Sequence, residues 1–189
     1  MPTRELLSPA QRAQFLCVPP EMSEQMLARY YTLSDDDCRL IKQRRRHHNR
    51  LGFAVQLAYL RFPGRAWAAN EEASPLVVSY MASQLKLNPM SIVQYCQDRE
   101  ATRYEHLAEI EKVCGFRPFT KREYRELAVW LLPLAKTTDA GTVLVSSLIE
   151  EMRSRKIIIL ANTIATSILY PGCCRAIMAG SISKGSRSG

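Results

Sequence analysis

The chain has 189 residues, 47% of them hydrophobic, and a formal net charge of +8 with a pI near 9.4. Length and apolar content exclude a disordered tail and allow one domain or two small ones, while the charge favours nucleic acid or another anionic surface as partner over an acidic substrate. No stretch reaches the ~20 apolar residues of a membrane span, and Arg4 and Glu5 interrupt any signal-peptide core, so a soluble intracellular protein is expected.

Nearly every segment shows helical spacing, which predicts an all-α fold. Ser8-Pro9 fits an N-cap followed by proline at the first helical position, on a helix carrying Phe15 and Leu16. A short helix is expected from about Ser23 to Tyr30. Ser34 caps the next helix and places Asp35, Asp36 and Asp37 in its positive first turn.

The end of that helix carries a basic block. Five positive charges, Lys42, Arg44, Arg45, Arg46 and Arg50, fall within nine residues that also hold His47 and His48. Like charges repel, and neutralising phosphates is the commonest reason for a chain to keep such a block. Lys42, Arg44, Arg45, Arg46, His48 and Arg50 are therefore candidate phosphate contacts. On a continuing helix, Arg44, Arg45 and Arg46 point around most of the circumference, so at least one reaches solvent. The competing explanation is that the cations complement the dipole of a helix that began with acids. The adjacent histidines have no partner histidine four residues on, which favours capping or phosphate contact over a metal.

Asn49 is expected to open a helix through Leu51, Ala54, Val55, Leu57, Ala58 and Leu60. It is apolar almost all round, the mark of a central buried helix. Phe62-Pro63-Gly64 ends it, and the flanking Arg61 and Arg65 could extend the positive surface. Residues 64–73 read as a loop.

Ser74-Pro75 starts a helix to about Lys86, and Asn88-Pro89 starts another to about Arg99. Together they have the spacing of a helix-turn-helix. Ala82 stands where crossing helices need a small residue, and Leu85, Leu87, Ile92 and Tyr95 fall at core positions. Lys86 takes the place usually held by glycine in the turn, a left-handed position that lysine adopts at some strain. Met90, Ser91 and Gln94 then lie on the exposed face of a recognition helix, where Gln can read adenine and Ser can bond base or phosphate. A helical hairpin in an ordinary bundle is the alternative.

Thr102-x-x-Glu105 reads as a capping box opening a helix closed by Gly115, and Thr120-x-x-Glu123 as a second box. Thr138 or Asp139 caps a further helix to about Arg155. Lys121, Arg122 and Arg125 cluster at one helix start and Arg153, Arg155 and Lys156 at the end of another, as a second nucleic-acid face or as plain solvated surface. Ile157-Ile158-Ile159-Leu160 is expected to be extended, and a weak helical pattern runs from Thr163 to Tyr170. These signals give two parts, 1–116 with the helix-turn-helix and a smaller helical unit at 120–160, with a disordered tail at 171–189.

Charge is uneven along the chain, with two basic lobes flanking a neutral middle, which suggests two contact surfaces. Residues 1–62 hold 10 Lys/Arg and 6 Asp/Glu, residues 63–119 hold 6 and 7, and residues 120–189 hold 10 and 5. Of the six cysteines, none forms a C-x-x-C pair, and most fall where a helix would bury a small apolar residue. No phosphate-binding loop, zinc-peptidase or serine-hydrolase motif is present, and the consecutive Asp35, Asp36 and Asp37 cannot converge on one metal. No catalytic residue, cofactor or metal is expected.

Several linked motifs resemble the N-terminal region of the Tn-three family of replicative transposases. They are Ala28-Arg29-Tyr30-Tyr31-Thr32-Leu33-Ser34, His48-Asn49-Arg50-Leu51-Gly52-Phe53-Ala54-Val55-Gln56-Leu57, Arg61-Phe62-Pro63-Gly64-Arg65, Glu100-Ala101-Thr102-Arg103 with His106-Leu107, Gly115-Phe116-Arg117-Pro118-Phe119, and Arg155-Lys156-Ile157-Ile158-Ile159. The resemblance covers roughly residues 5–160 and fades after Leu160. It implies a sequence-specific region that binds double-stranded DNA at a transposon's terminal inverted repeats, in the cytoplasm at the bacterial nucleoid. The strand-transfer chemistry of that family uses a carboxylate triad and magnesium in a far C-terminal domain, so none of it is expected in this chain. A helical regulator that pairs with full-length transposase, or with itself, is the rival expectation.

Overall fold

A computed structural model describes residues 8–68, 71–98, 100–138 and 140–159. The weak helical pattern at 163–170 and the tail expected at 171–189 lie outside the described residues. Those residues form nine helices and no named strand: α1 (Pro9–Leu16), α2 (Glu24–Tyr31), α3 (Asp35–Lys42), α4 (His47–Arg61), α5 (Pro75–Leu85), α6 (Ser91–Gln97), α7 (Glu100–Cys114), α8 (Lys121–Ala135) and α9 (Gly141–Ser154). The fold is all-α, as its periodicity predicts.

The starts follow their caps. Ser8 Oγ accepts from the Gln11 N–H while Gln11 Oε1 accepts from the Ser8 N–H. Ser34 and Asp37 form a full capping box, as do Thr120 and Glu123. Four starts differ from expectation. α4 opens at His47 rather than Asn49, with Arg46 at the N-cap and no side-chain cap. α6 begins at Ser91 rather than at Asn88-Pro89, with Met90 at the N-cap and no side-chain cap. α7 begins at Glu100, so Thr102 sits inside its first turn and Thr102-x-x-Glu105 is not its box. α9 begins at Gly141 after Ala140, where Thr138 Oγ1 only accepts from the Ala140 N–H.

α4 is the axis of the larger part. Every residue from Leu51 to Leu60 is buried, and α2, α3, α5, α6 and α7 pack around it. The closest approach is at Gly52. A Cβ built there would meet the Tyr95 ring of α6 at 2.3 Å, so the absent side chain lets α6 lie against the α4 backbone. Tyr95 is fully buried; its hydroxyl accepts from Gln56 Nε2 at 2.8 Å and lies 3.0 Å from His106 Nδ1 of α7. One polar cluster thus ties α4, α6 and α7 together.

A second core gathers Leu127 and Leu131 of α8 with Val145, Leu148, Ile149 and Met152 of α9. Phe15 and Leu16 of α1 pack against it, although α1 comes first in the chain. The segment after α9 is extended, as predicted. Ile157 pairs with Arg117 in an isolated parallel bridge, and the Ile158 N–H donates to the Arg117 carbonyl at 2.8 Å. Ile157 and Ile159 enter the second core and Ile158 the first.

The cysteines differ from expectation. Cys17 and Cys96 are exposed and Cys38 and Cys114 are half-buried, so none of these four fills the core. Cys173 and Cys174 lie outside the described residues. Among the described residues, no helix is long and apolar enough to cross a membrane.

Candidate nucleic-acid interface

The basic block is a turn, not a helix surface. α3 ends at Lys42 and Gln43–Arg46 form the link to α4, so Arg44, Arg45 and Arg46 are not spread around a helix as expected. The link divides the charges by direction. Arg44 turns inward, makes a bidentate pair with Glu109 of α7 (2.7 Å for Nη1 to Oε2) and covers the Phe53 ring at 5.0 Å. Arg50 reaches back, its Nε donating to the Arg44 carbonyl at 2.7 Å and its Nη2 to the Lys42 carbonyl at 3.5 Å. It thereby caps the negative end of α3. His48 is buried, with Nε2 3.0 Å from Asp98 Oδ2 at an angle poor for a hydrogen bond. Lys42, Arg45, Arg46 and His47 remain exposed. The block therefore supplies both internal fastening and outward charge, and the His48–Asp98 contact sets it beside the end of α6.

Two arginines flanking the Phe62-Pro63-Gly64 turn also face inward. Arg61 pairs with both carboxylate oxygens of the buried Asp37, at 2.7 and 2.8 Å, and donates to the Thr32 carbonyl. Burial alone would raise the Asp37 pKa, but the Arg61 bonds and the Ser34 N–H hold it below the usual carboxylate range. Arg65 pairs with Glu71, donates to the Leu16 carbonyl and lies over the Tyr59 ring. These guanidiniums are directed into the fold rather than onto an open surface.

The α5–α6 turn matches its sequence pattern at Lys86 and at the core positions, but not at the start of α6, which Asn88 does not cap. Lys86 is left-handed at φ 54°, and the Leu87 N–H returns to the Ala82 carbonyl at 2.9 Å, which satisfies an end carbonyl of α5. Asn88 Oδ1 accepts from the Met90 N–H, and α6 begins at Ser91. Tyr95 is buried, Ile92 packs half-buried on the larger core, and Leu85 and Leu87 do the same. The opposite face of α6 presents Met90, Val93, Gln94 and Gln97, with Met90 69% and Val93 46% exposed. Ser91 is half-buried at its edge.

In the smaller part, Lys121 and Arg125 are exposed, and Arg122 is exposed but paired with Glu126 at 2.8 Å. Arg155 pairs with Glu151 at 2.6 Å. Arg153 donates to the Pro63 carbonyl at 2.8 Å and lies 4.5 Å from the Phe62 ring, binding α9 to the larger part. Lys156, left-handed at φ 55°, donates to the Cys114 carbonyl at 2.9 Å. Three exposed residues lack a signal in the sequence. Val93 and Gln97 share the α6 face with Gln94, and Arg29 stands exposed over the Tyr30 ring. Arg29 lies in a quoted motif but outside any run of charge. Among the described residues, no three His, Cys, Asp or Glu side chains gather to hold a metal.

The family described as Domain of unknown function (DUF4158) matches residues 6–166. The transposase for transposon Tn3926 from Escherichia coli is 45% identical over 161 residues, 85% of this chain and 16% of that protein. The transposase for transposon Tn21, also from Escherichia coli, is 46% identical over 161 residues with the same coverage. The transposase for transposon Tn501 from Pseudomonas aeruginosa is 38% identical over 177 residues, 94% of this chain and 17% of that protein. The chain spans about a sixth of the length of these relatives.

Proposed function

Because the chain belongs to the family described as a domain of unknown function (DUF4158) and matches Tn3-family transposases, we propose that it binds double-stranded DNA at the terminal inverted repeats of a transposon. In this reading it supplies site recognition in the bacterial cytoplasm, and the strand-transfer chemistry belongs to parts of such transposases that it does not match. The carrying observation is the division within the basic block: Arg44 and Arg50 fix the turn from inside, while Lys42, Arg45 and Arg46 project from it. A fixed row of cations suits a phosphate backbone. The open face of α6 lies one contact away, through His48 and Asp98, and offers Gln94 for base edges within a helix-turn-helix. Footprinting on an inverted repeat tests the whole reading, which fails if protection is no better than on unrelated DNA.

Two variants test the division of labour. Lys42→Ala/Arg45→Ala/Arg46→Ala should weaken binding to all sequences alike and lower the slope of log K against log salt by about 0.9 per lost phosphate contact. An unchanged slope would remove the turn from the interface. Gln94→Ala should instead cost about 1–3 kcal/mol on the cognate repeat and little on random duplex. Equal losses on both duplexes in a competition assay would show that α6 does not read bases.

The rival reading rests on a groove between α8 and α9, with Trp130, Pro133 and Leu134 on its α8 wall and Ser147, Glu150 and Glu151 on its α9 wall. Size-exclusion mixing with full-length transposase in the absence of DNA separates it from the first.

A further inference from the structure

A cleft of about 500 Å³ opens where the two parts meet. α2 contributes Arg29 and Tyr30, the end of α4 contributes Arg61, and α9 with the residue pair beyond it contributes Glu150, Arg153 and Lys156. The charges on its walls do not cancel. Arg61 is already matched by Asp37, which lies outside the lining. Arg29 rests on a ring face 5.4 Å away. Arg153 donates to the Pro63 and Phe15 carbonyls, and Lys156 donates to the Cys114 carbonyl. Ring faces and carbonyl dipoles orient a cation without neutralising it. Three cations therefore share one lining carboxylate, Glu150, in a partly dehydrated cleft, where a fixed charge acts more strongly than in open water. Burial also pulls the Arg153 guanidinium below its usual value, partly offset by Tyr30 and Glu150.

We propose that this cleft binds a phosphate group, held by Arg29, Arg153 and Lys156, and that the phosphate belongs to a DNA backbone crossing from one part to the other. The planar forks of two arginines suit the tetrahedral oxygens, and the cleft supplies the charge that the inward-facing Arg61 and Arg65 do not. The choice of DNA as source rests on the function proposed above; the phosphate site itself does not.

The Cys114 thiol lies in the same lining and provides a reporter, with the exposed Cys17 as an internal reference. The full chain is alkylated with iodoacetamide at mildly alkaline pH, and each cysteine is followed by peptide mass spectrometry. Inorganic pyrophosphate should slow Cys114 several-fold and leave Cys17 unchanged. An inverted-repeat duplex should also slow Cys114, and with either ligand Cys114 in Arg29→Gln and in Lys156→Gln should react at that variant's own ligand-free rate, since burial raises the thiol's pKa and Lys156 itself lowers it. The exposed Arg29 side chain makes no hydrogen bond among the described residues and only covers the Tyr30 ring, so its variant should keep the parent urea midpoint and report binding alone. A duplex that shifts in a gel but leaves Cys114 unprotected would overturn the DNA source. Protection by pyrophosphate without any gel shift would keep the phosphate site and sink the DNA reading. Failure of both ligands to protect Cys114, or protection unaltered in both variants, would overturn the site.

Discussion

Gly52→Ala is expected to destabilise the protein by about 3 kcal/mol or more, at the upper end of the cost of overpacking. The added methyl would sit 2.3–2.4 Å from three atoms of the Tyr95 ring. That ring cannot yield, because it lies fully buried between the Trp67 and His106 rings and its hydroxyl is tied to Gln56 and His106. Alanine normally favours a helix over glycine by about 1 kcal/mol, so the clash must overcome a gain before any loss appears. Urea denaturation of the two proteins checks this, and a stabilised variant would mean that α6 is free to move away from α4.

Acid should weaken the fold from about pH 6.5 downward, where histidine ordinarily protonates. His106 is buried, and its pKa is lowered from 6.5 to about 4, first by burial and then by the Arg44 guanidinium, with Glu109 and Asp98 opposing. The Tyr95 hydroxyl faces the same ring. Between those values the unfolded chain binds a proton that the folded chain refuses, so stability rises with pH there. It is complete above about pH 6.5 and lost as the pH falls toward 4, by about 3 kcal/mol over the window. The Asp37 contribution runs in the same direction but lower, since its depressed pKa sheds stability only below the ordinary carboxylate range. Urea midpoints from pH 7 to 4 measure the decline. His106→Gln, which keeps a hydrogen-bonding group beside Tyr95, should flatten it, and an equal decline in that variant would assign the proton elsewhere.

Local signals were legible because their physics is local. Ser34 with Asp37 and Thr120 with Glu123 cap helices where their spacing says they must. The all-apolar run from Leu51 to Leu60 is buried as its composition requires. Lys86 takes the left-handed turn that its place between α5 and α6 demands. The failures are of two kinds. Thr102-x-x-Glu105 has the letters of a cap, but Glu100 already suits the positive end of a helix that begins earlier. The second kind is long-range. Nothing near Arg44 in the chain announces Glu109, 65 residues on, nor does Arg153 announce the Pro63 carbonyl 90 residues before it. A charge run reports how many cations a surface could hold, whereas their direction is decided by partners that only folding brings near. The candidate interface was thus readable as a region, while the separation of fastening arginines from outward ones was not.

Ile157, Ile158 and Ile159 restrict how the two cores can move against each other. Consecutive side chains of an extended segment point to opposite sides, and here the sides belong to different cores. Rotation of the smaller part about this link would draw Ile158 out of one core or its neighbours out of the other. Each fully buried isoleucine so withdrawn forfeits about 1.5–3 kcal/mol. The connection therefore resists bending like a shared spar, and a duplex lying across both parts would meet them at a fixed separation and angle.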